Sequence, residues 1–390
     1  MVAVNMSSKK LKIDVQPDVL KWAIESSGWK KDNIGKELKI QPVQIDAWLQ
    51  GKDTPSLSQL EHLAEILKRP LVAFFLPKPP EERPMPHDFR MLQGKSAGFS
   101  PAAYQAFRKA RWLQASSKEL AENLEQDITP NIEHADLTKS PSSIANRERQ
   151  NSGINVAEQV AWKDPSQAFR TWKKMIETKN IMVFQVSIPL EDARGFSLID
   201  MKPYSIVLSK KEPLPEARIF TLLHEYGHIL LKESGICNQT GDIEPTTRDA
   251  KVESWCNEFA ANFLMPKDIV EKELNAVPKS EMKNMGTITR ISRRYTVSKL
   301  AFAVTMKKMG YLNKSDYEGI KEHLGAVKKK VGGGIVSPDK KCVSEKGERF
   351  ISLVTENVNN GYISYADALD YLALKLKYYD KITQKGANPQ

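Results

Sequence analysis

The sequence predicts an α+β protein that is mainly α-helical and carries one small β-sheet. Its 390 residues, 44.0 kDa, suffice for two to three domains with cores of their own. Apolar residues recur at helical spacing along most of the chain, whereas only a few short runs have the continuous apolar and β-branched content of buried strands. Five prolines within residues 77–86 interrupt both patterns and mark the clearest domain boundary.

The composition excludes several classes of protein. With 41% hydrophobic and 27% charged residues, the chain is neither collagen-like nor wholly disordered. Its longest apolar run, 71–76, is far shorter than the roughly 20 residues of a membrane-spanning helix. No apolar stretch follows the first lysines, and the three cysteines stand at irregular spacing, so we expect no secretory signal, no membrane partner and a cytoplasmic location. The net charge of +10 permits binding to a polyanion without demonstrating it.

Residues 1–78 form the predicted N-terminal domain, a cluster of short helices. The first helix begins at Pro17, and Asp32 is the expected cap of the second. The third begins at Pro42, since proline suits the first turn of a helix. The fourth follows 54–56, whose Thr-Pro-Ser sequence is typical of a helix cap.

Residues 30–76 resemble the helix-turn-helix domain of Xre-type, phage-repressor-like proteins. The resemblance rests on Ile34-Gly-Lys-Glu-Leu38, a turn, and Val43-Gln-Ile-Asp-Ala-Trp48. It implies that the third helix enters the major groove of operator DNA, where glutamine pairs with adenine, so Gln44 is the best candidate for a base contact. A helical module that docks a protein is the alternative. The other candidates for base or phosphate contact are Gln41, Lys52 and Lys36.

A proline-rich linker, 79–99, precedes the predicted second domain, 100–317. Beyond that domain, the Lys- and Gly-rich stretch 318–345 predicts a connector, and 346–390 predicts two amphipathic helices. The elements expected in the first half of the second domain are a helix over 101–127, a loop over 137–153, a helix over 164–178, and strands near 181–186, 194–199 and 204–208.

The clearest chemical motif is His224-Glu-Tyr-Gly-His228, which lies within an apolar helical pattern. Residues four apart share one face of a helix, so both imidazoles can bind a single zinc ion. Glu225 is displaced by one position, where its carboxylate can take a proton from water activated by the metal. Two surface histidines on an ordinary amphipathic helix are the alternative, which the apolar neighbours disfavour.

A catalytic zinc site needs a third protein ligand and an open position. The best candidates, Glu253 and Glu258, lie on the next long helical stretch. Each is followed four residues later by an asparagine, Asn257 or Asn262, which could hold a ligand histidine. Spacing alone therefore leaves both glutamates open. Cys256 lies between them and is expected in the core, although a thiolate there would also bind zinc.

Residues 196–266 resemble the ImmA/IrrE family of zinc metallo-endopeptidases. The resemblance rests on Phe220-Thr-Leu before the histidine motif and on the later block Glu253-Ser-Trp-Cys-Asn257-Glu-Phe-Ala-Ala261. It implies a zincin-like, gluzincin-type fold with its core at 181–270 and a small helical element at 285–312. The site residues that it implies are His224, His228 and Glu253 as ligands of Zn2+, Glu225 as the catalytic base, and Asn257 as support for a ligand histidine.

The two resemblances together predict a DNA-binding zinc endopeptidase that regulates transcription by site-specific cleavage of a repressor-type protein. The alternative is a DNA-binding autorepressor or antitoxin of a toxin–antitoxin pair, whose zincin domain binds its partner without cleaving it. The expected partners are operator DNA and either a repressor-type substrate or a cognate toxin, with a second copy of the chain as a further candidate. Glu225 favours catalysis, since a purely structural site has no use for a base there.

Overall fold

Internal contacts divide the chain into two units. The computed structural model describes residues 14–82, 87–88, 98–162, 164–233, 235–237, 247–326 and 336–386. The first unit comprises Met1–Met85 and Ser96–Lys109, and the second comprises Pro86–Lys95 and Ala110–Gln390. Residues 96–109 thus group with the N-terminal helices, although the predicted second domain begins at 100. Most of the predicted linker lies outside the described residues.

The first unit contains the helices predicted before the proline-rich stretch. Ser56 begins the fourth of them with a capping box, in which its hydroxyl accepts from the Gln59 backbone and its own N–H donates to the Gln59 side chain. Asp32 does not cap the second helix, contrary to prediction, because Lys30 holds the cap position. The helices are α1 (Pro17–Glu25), α2 (Lys31–Leu38), α3 (Pro42–Leu49) and α4 (Leu57–Leu67), and a 3-10 helix follows at Leu71–Phe75.

Trp48 of α3 is almost fully buried and packs in one core with Leu20, Ile34 and Leu63. Lys39 ends α2 in the left-handed conformation, with φ of 56°, and a short turn leads into α3. The helices α2 and α3 therefore share one core and are joined by a short turn.

A mixed sheet in the second unit has the strand order β1-β5-β3-β4-β2. β2 runs parallel to β4, β3 runs antiparallel to β4 and β5, and β1 runs parallel to β5. The three longer strands match the predicted runs and are buried along their whole length. The two short strands have too few residues to show a periodic pattern, so the sequence did not predict them. The strands are β1 (His87–Asp88), β2 (Met182–Val186), β3 (Gly195–Leu198), β4 (Ser205–Ser209) and β5 (Gly235–Cys237).

Helices make up most of the rest of the second unit, which confirms the mainly helical α+β prediction. No helix in the described part of the chain is both long and apolar enough to cross a lipid bilayer. The helices are α5 (Pro101–Asn123), which begins within the first unit, α6 (Pro141–Asn151), α7 (Val156–Ala161), α8 (Pro165–Glu177), α9 (Pro215–Leu230), α10 (Arg248–Leu264), α11 (Lys267–Asn275), α12 (Met285–Arg294), α13 (Lys299–Lys308), α14 (Lys314–Ala326), α15 (Pro338–Lys346), α16 (Glu348–Asn359), α17 (Tyr365–Leu372) and α18 (Leu376–Gly386).

The predicted loop over 137–153 is wrong, because this stretch contains α6. Its buried face carries charged residues, so the helix shows little hydrophobic periodicity. Glu148 accepts a hydrogen bond from the Tyr226 hydroxyl at 2.5 Å, and Arg149 donates to the Phe263 carbonyl at 2.7 Å. These buried partners replace the apolar contacts that the pattern requires.

The C-terminal predictions also need correction. The stretch 318–345 is not a simple connector, because α14 extends into it and α15 begins within it; residues 327–335 lie outside the described part. Three helices rather than two follow 346. Ser364 and Asp367 form a capping box that starts α17, and Ala373, with φ of 51°, ends it before α18. The sequence predicted a single helix over α17 and α18 because Ala373, the residue that separates them, is neither glycine nor proline.

Candidate metal centre

The part of helix α9 that carries the histidine motif is buried on all sides. Pro215 occupies its first turn, and every residue from Thr221 to Leu230 is buried. His224, Glu225 and His228 have no exposed surface at all. Two histidines on a solvent-facing helix are thereby excluded, and the polar groups of the motif must find their partners inside the protein.

Close packing of α9 against α10 brings the third candidate ligand to the histidines. A Cβ atom on Gly227 would lie 3.2 Å from the Cys256 Sγ and 3.3 Å from its Cα atom, so the absence of a side chain lets the two helices approach. Thr247 caps α10 by accepting from the Ala250 backbone. Glu253, almost two turns into α10 and 7% exposed, reaches both imidazoles.

The donor atoms of His224, His228 and Glu253 lie within 4.8 Å of one another. The two histidine Nε2 atoms are 3.1 Å apart, and the Glu253 carboxylate oxygens lie 3.5 Å from His224 Nε2 and 3.0 Å from His228 Nε2. Tetrahedral bonds of about 2.0–2.1 Å to zinc place neighbouring ligand atoms about 3.3 Å apart. Two imidazole nitrogens and a carboxylate oxygen at these separations therefore fit one zinc ion, and the cluster could hold a metal.

Burial and mutual attraction determine the pKa values of the cluster. Burial opposes the charged form of His224, but the facing Glu253 outweighs it and raises the pKa of this histidine. Burial dominates at His228 and lowers its pKa. The Glu253 carboxyl is also buried, yet the two imidazoles hold its pKa far below its ordinary value. An ionised carboxylate beside a neutral imidazole, as at His228, is the protonation state that binds a cation.

Glu225 lies against the sheet, on the side of α9 next to β3. A Cβ atom on Gly195 of β3 would lie 2.7 Å from the Thr221 side chain and 3.4 Å from the Glu225 Cγ atom. Because Gly195 has no side chain, β3 leaves room for α9 and for the Glu225 side chain. Gly195 was not among the predicted site residues, and a glycine within a predicted strand was the signal that could have revealed it.

The other candidates near the motif take different positions. Asn257 lies close enough to His224 to contribute to the raised pKa of that histidine, whose Nδ1 has no hydrogen-bond partner within the described residues. Glu258 is not part of the cluster, and its backbone carbonyl accepts from the Asn262 side chain. Cys256 is fully buried against Gly227, and burial raises the pKa of its thiol well above the ordinary value. The structure therefore brings Glu253, and neither Glu258 nor Cys256, to the histidine pair.

Comparison with known proteins agrees with this geometry. Residues 176–307 match the family model of the IrrE N-terminal-like domain, a peptidase family. This part of the chain is therefore similar to the IrrE N-terminal-like domain. The match contains α9, α10 and the cluster, covers about a third of the 390 residues, and indicates a metallopeptidase-like role for this part of the chain. No curated protein matches the chain.

The candidate DNA-contacting residues lie on and beside α3 in the first unit. Gln41 precedes α3 and is exposed, whereas Gln44 is half-buried within the helix. Lys36 of α2 and Lys52, just beyond α3, are exposed. Val43, between the two glutamines, is 71% exposed.

Proposed function

We propose that the protein is a DNA-binding, zinc-dependent endopeptidase that regulates transcription by cleaving a repressor-type protein at a specific site. The observation that carries the proposal is the convergence of His224, His228 and Glu253 within 4.8 Å, with Glu225 buried next to the first of them. The donor set fits zinc and leaves one tetrahedral corner for substrate or water, which a catalytic site requires.

The buried carboxylate of Glu225 provides the base of the proposed reaction. Zinc, when bound, supplies Lewis acidity that polarises a carbonyl and makes water a stronger acid. Glu225 takes the proton as the water attacks the scissile carbonyl, and it then passes the proton to the leaving amine. Asn257 holds the His224 ring in the orientation that directs its nitrogen to the metal.

Complete burial of the motif supports a selective peptidase. His224, Glu225 and His228 have no exposed surface, so an arbitrary extended chain does not meet these atoms at the protein surface. Cleavage then depends on a substrate whose binding gives it access to the site, which favours recognition of one regulator over general proteolysis.

In the proposed DNA complex, α3 lies in the major groove. Gln44 contacts an adenine edge, Gln41 lies at the start of the same helix, and the exposed Val43 contacts a thymine methyl group. Lys36 and Lys52 contact phosphates on either side, which positions the helix without reading the sequence. The exposed ion pair between Lys31 and Asp46, at 2.5 Å, neutralises a carboxylate that would otherwise repel the phosphates.

A pair of glutamates on α10 offers a matched test of the metal site. We expect roughly one zinc per purified wild-type chain, and Glu253→Gln to weaken zinc binding by more than about tenfold. Glu258→Gln changes the same residue type on the same helix and should retain wild-type zinc content. Equal zinc content in both variants would remove Glu253 from the site.

The catalytic assignment needs a test separate from metal binding. Glu225→Gln should keep its zinc and lose cleavage of any protein that it traps from cells, whereas wild-type protein should cleave that same protein at one position. If the purified wild type and the variant bind the trapped protein equally, leave it intact and repress the operator alike, the chain is the non-proteolytic autorepressor or antitoxin instead.

A further inference from the structure

The second unit contains a cavity of about 550 Å³ that the proposed peptidase does not use. It lies between α8, the start of α9 and the C-terminal helices α15, α16 and α18. Cavities of about 300–1,000 Å³ are the size at which proteins bind small molecules. None of the residues that form the histidine and glutamate cluster lines this cavity, so it is a separate candidate site.

Two of the acidic side chains in the cavity wall are already neutralised by neighbours on α8. Lys173 lies 3.9 Å from Glu177, and both are buried. Lys174 lies 3.6 Å from Glu348. In these pairs, the charges of two lysines and two glutamates of the wall offset each other. The other charged residues of the wall therefore determine which ligand the cavity attracts.

The remaining charges are mainly positive. Arg170, Arg218 and Lys340 line the cavity, and Asp339 is the one further acidic residue of the wall. The Arg218 guanidinium lies 5.4 Å from the centre of the Phe169 ring and donates one hydrogen bond to the Gln185 side chain, at 3.1 Å. Its Nε is buried and has no hydrogen-bond partner within the described residues.

An apolar wall lies beside these cations. It comprises Pro215 at the start of α9, Val343 of α15 and Ile382 of α18. Ile382 is 5% exposed, whereas Pro215 and Val343 are half-buried, so this wall extends from the packed interior towards the surface. A ligand that spans the cavity therefore meets a positive region and an apolar region.

We propose that this cavity binds a small-molecule phosphomonoester. Its phosphate is held by Arg170, Arg218 and Lys340, and its organic part packs on Pro215, Val343 and Ile382. A phosphomonoester carries close to two negative charges at neutral pH and offers three acceptor oxygens. Within the wall three cations stand against one carboxylate, and Glu216 near Arg218 and Asp164 near Arg170 offset part of this positive charge. The positive charge that remains matches a doubly charged phosphate better than the single charge of a carboxylic acid.

Calorimetric titration of the full chain at about 150 mM salt tests the proposal, since screening at this ionic strength suppresses unspecific attraction. The probes are AMP, glucose 6-phosphate and phenyl phosphate, with adenosine and inorganic phosphate as comparisons. We expect one or more of the three esters to bind saturably at one site per chain. Adenosine should not bind, and inorganic phosphate should bind at least about tenfold more weakly than that ester because it lacks the apolar part.

Exposed residues provide variants that leave the fold intact. The double substitution Arg170→Gln with Lys340→Gln should weaken ester binding by at least about tenfold while the melting temperature stays near that of wild type. Arg293→Gln with Lys314→Gln removes the same two charges from exposed positions outside the cavity and should bind like wild type. Absence of binding by all three esters, equal affinity in the two double variants, or equal affinity for inorganic phosphate and the best ester would overturn the proposal.

Discussion

The backbone N–H of Glu348, the first residue of α16, donates to the buried carboxylate of Glu177 on α8 over 3.1 Å. One turn earlier on α8, the Lys173 ammonium donates to the Ser344 carbonyl, near the end of α15, over 2.7 Å. An anion thus meets the N-terminus of one helix and a cation meets the C-terminus of the preceding one, as the helix dipoles favour. The C-terminal helices α15 and α16 are therefore anchored to α8 through buried charges.

The first prediction concerns the pH dependence of this anchor. Burial raises the pKa of Glu177 from 4.5 to about 7, and Lys173 offsets only part of that effect. Because the folded state holds this proton more tightly than the unfolded state, the stability contributed by Glu177 is present below about pH 4.5 and is lost as pH rises through about 7. Glu177→Gln removes this pH dependence and also leaves Lys173 unpaired at every pH, so its free energy of unfolding relative to wild type should rise between about pH 5 and pH 8, by on the order of 3 kcal/mol.

Urea unfolding at several pH values, followed by tryptophan fluorescence, measures this difference. Glu322→Gln, an exposed substitution on α14, serves as the control and should stay within about 0.5 kcal/mol of wild type at every pH. A Glu177→Gln variant that loses stability relative to wild type as pH rises would contradict the assignment.

The second prediction uses two glycines that both have positive φ and lie in different surroundings. Gly347 and Gly361 have φ of 82° and 74°. A Cβ atom on Gly347 would clash with the Glu177 carboxylate and lie 3.0 Å from the Val183 carbonyl, whereas one on Gly361 would meet nothing within 4 Å. Alanine is strained at both positions because φ is positive, and it is strained more at Gly347, whose ψ of 153° lies outside the left-handed region that other residues can adopt. The additional loss of Gly347→Ala therefore reports this backbone strain and the crowding together. Thermal unfolding should place Gly347→Ala below Gly361→Ala; equal melting temperatures would refute the close contact.

The third prediction tests whether close packing of α9 and α10 forms the metal site. Gly227→Ala forces its new methyl group against Cys256, and the displacement should move Glu253 and weaken zinc binding by about tenfold. Gly319→Ala on α14 meets open space and should stabilise the protein by up to about 1 kcal/mol, without any change in zinc affinity. Zinc competition against a coloured chelator distinguishes these outcomes. Unchanged zinc affinity in Gly227→Ala would show that the metal site does not depend on the close approach of α9 and α10.

The fourth prediction addresses DNA binding by the first unit. Gln44→Ala should cost about 1–3 kcal/mol of binding to the operator and relax specificity at one base pair. Lys52→Ala should weaken binding to all sequences and lower the salt dependence by about one unit. Lys21→Ala, an exposed change on α1, should have neither effect. Gel shifts over a salt series measure all three, and affinity that does not vary with salt would rule out phosphate contacts.

The sequence predicted those features that depend on a few residues close together in the chain. His224 and His228 lie four apart, so one helical turn brings them to the same face, and the capping box at Ser56 uses residues three apart. The three longer strands were predicted for the same reason, because a continuous apolar run needs no knowledge of its neighbours. Helix α6 escaped prediction because its buried face is charged and its partners, Tyr226 and Phe263, lie far along the chain.

Tertiary structure decided what depends on the approach of distant segments. Spacing left Glu253 and Glu258 equivalent, and only the packing of α10 on α9, permitted by Gly227, brings Glu253 to the histidines. Tertiary packing also places the Lys173 side chain at the end of α15 and the Glu177 side chain at the start of α16, both about 170 residues away along the chain. Helix periodicity is a short-range property of the chain, whereas convergence of side chains is a property of packed surfaces, and no local pattern encodes it.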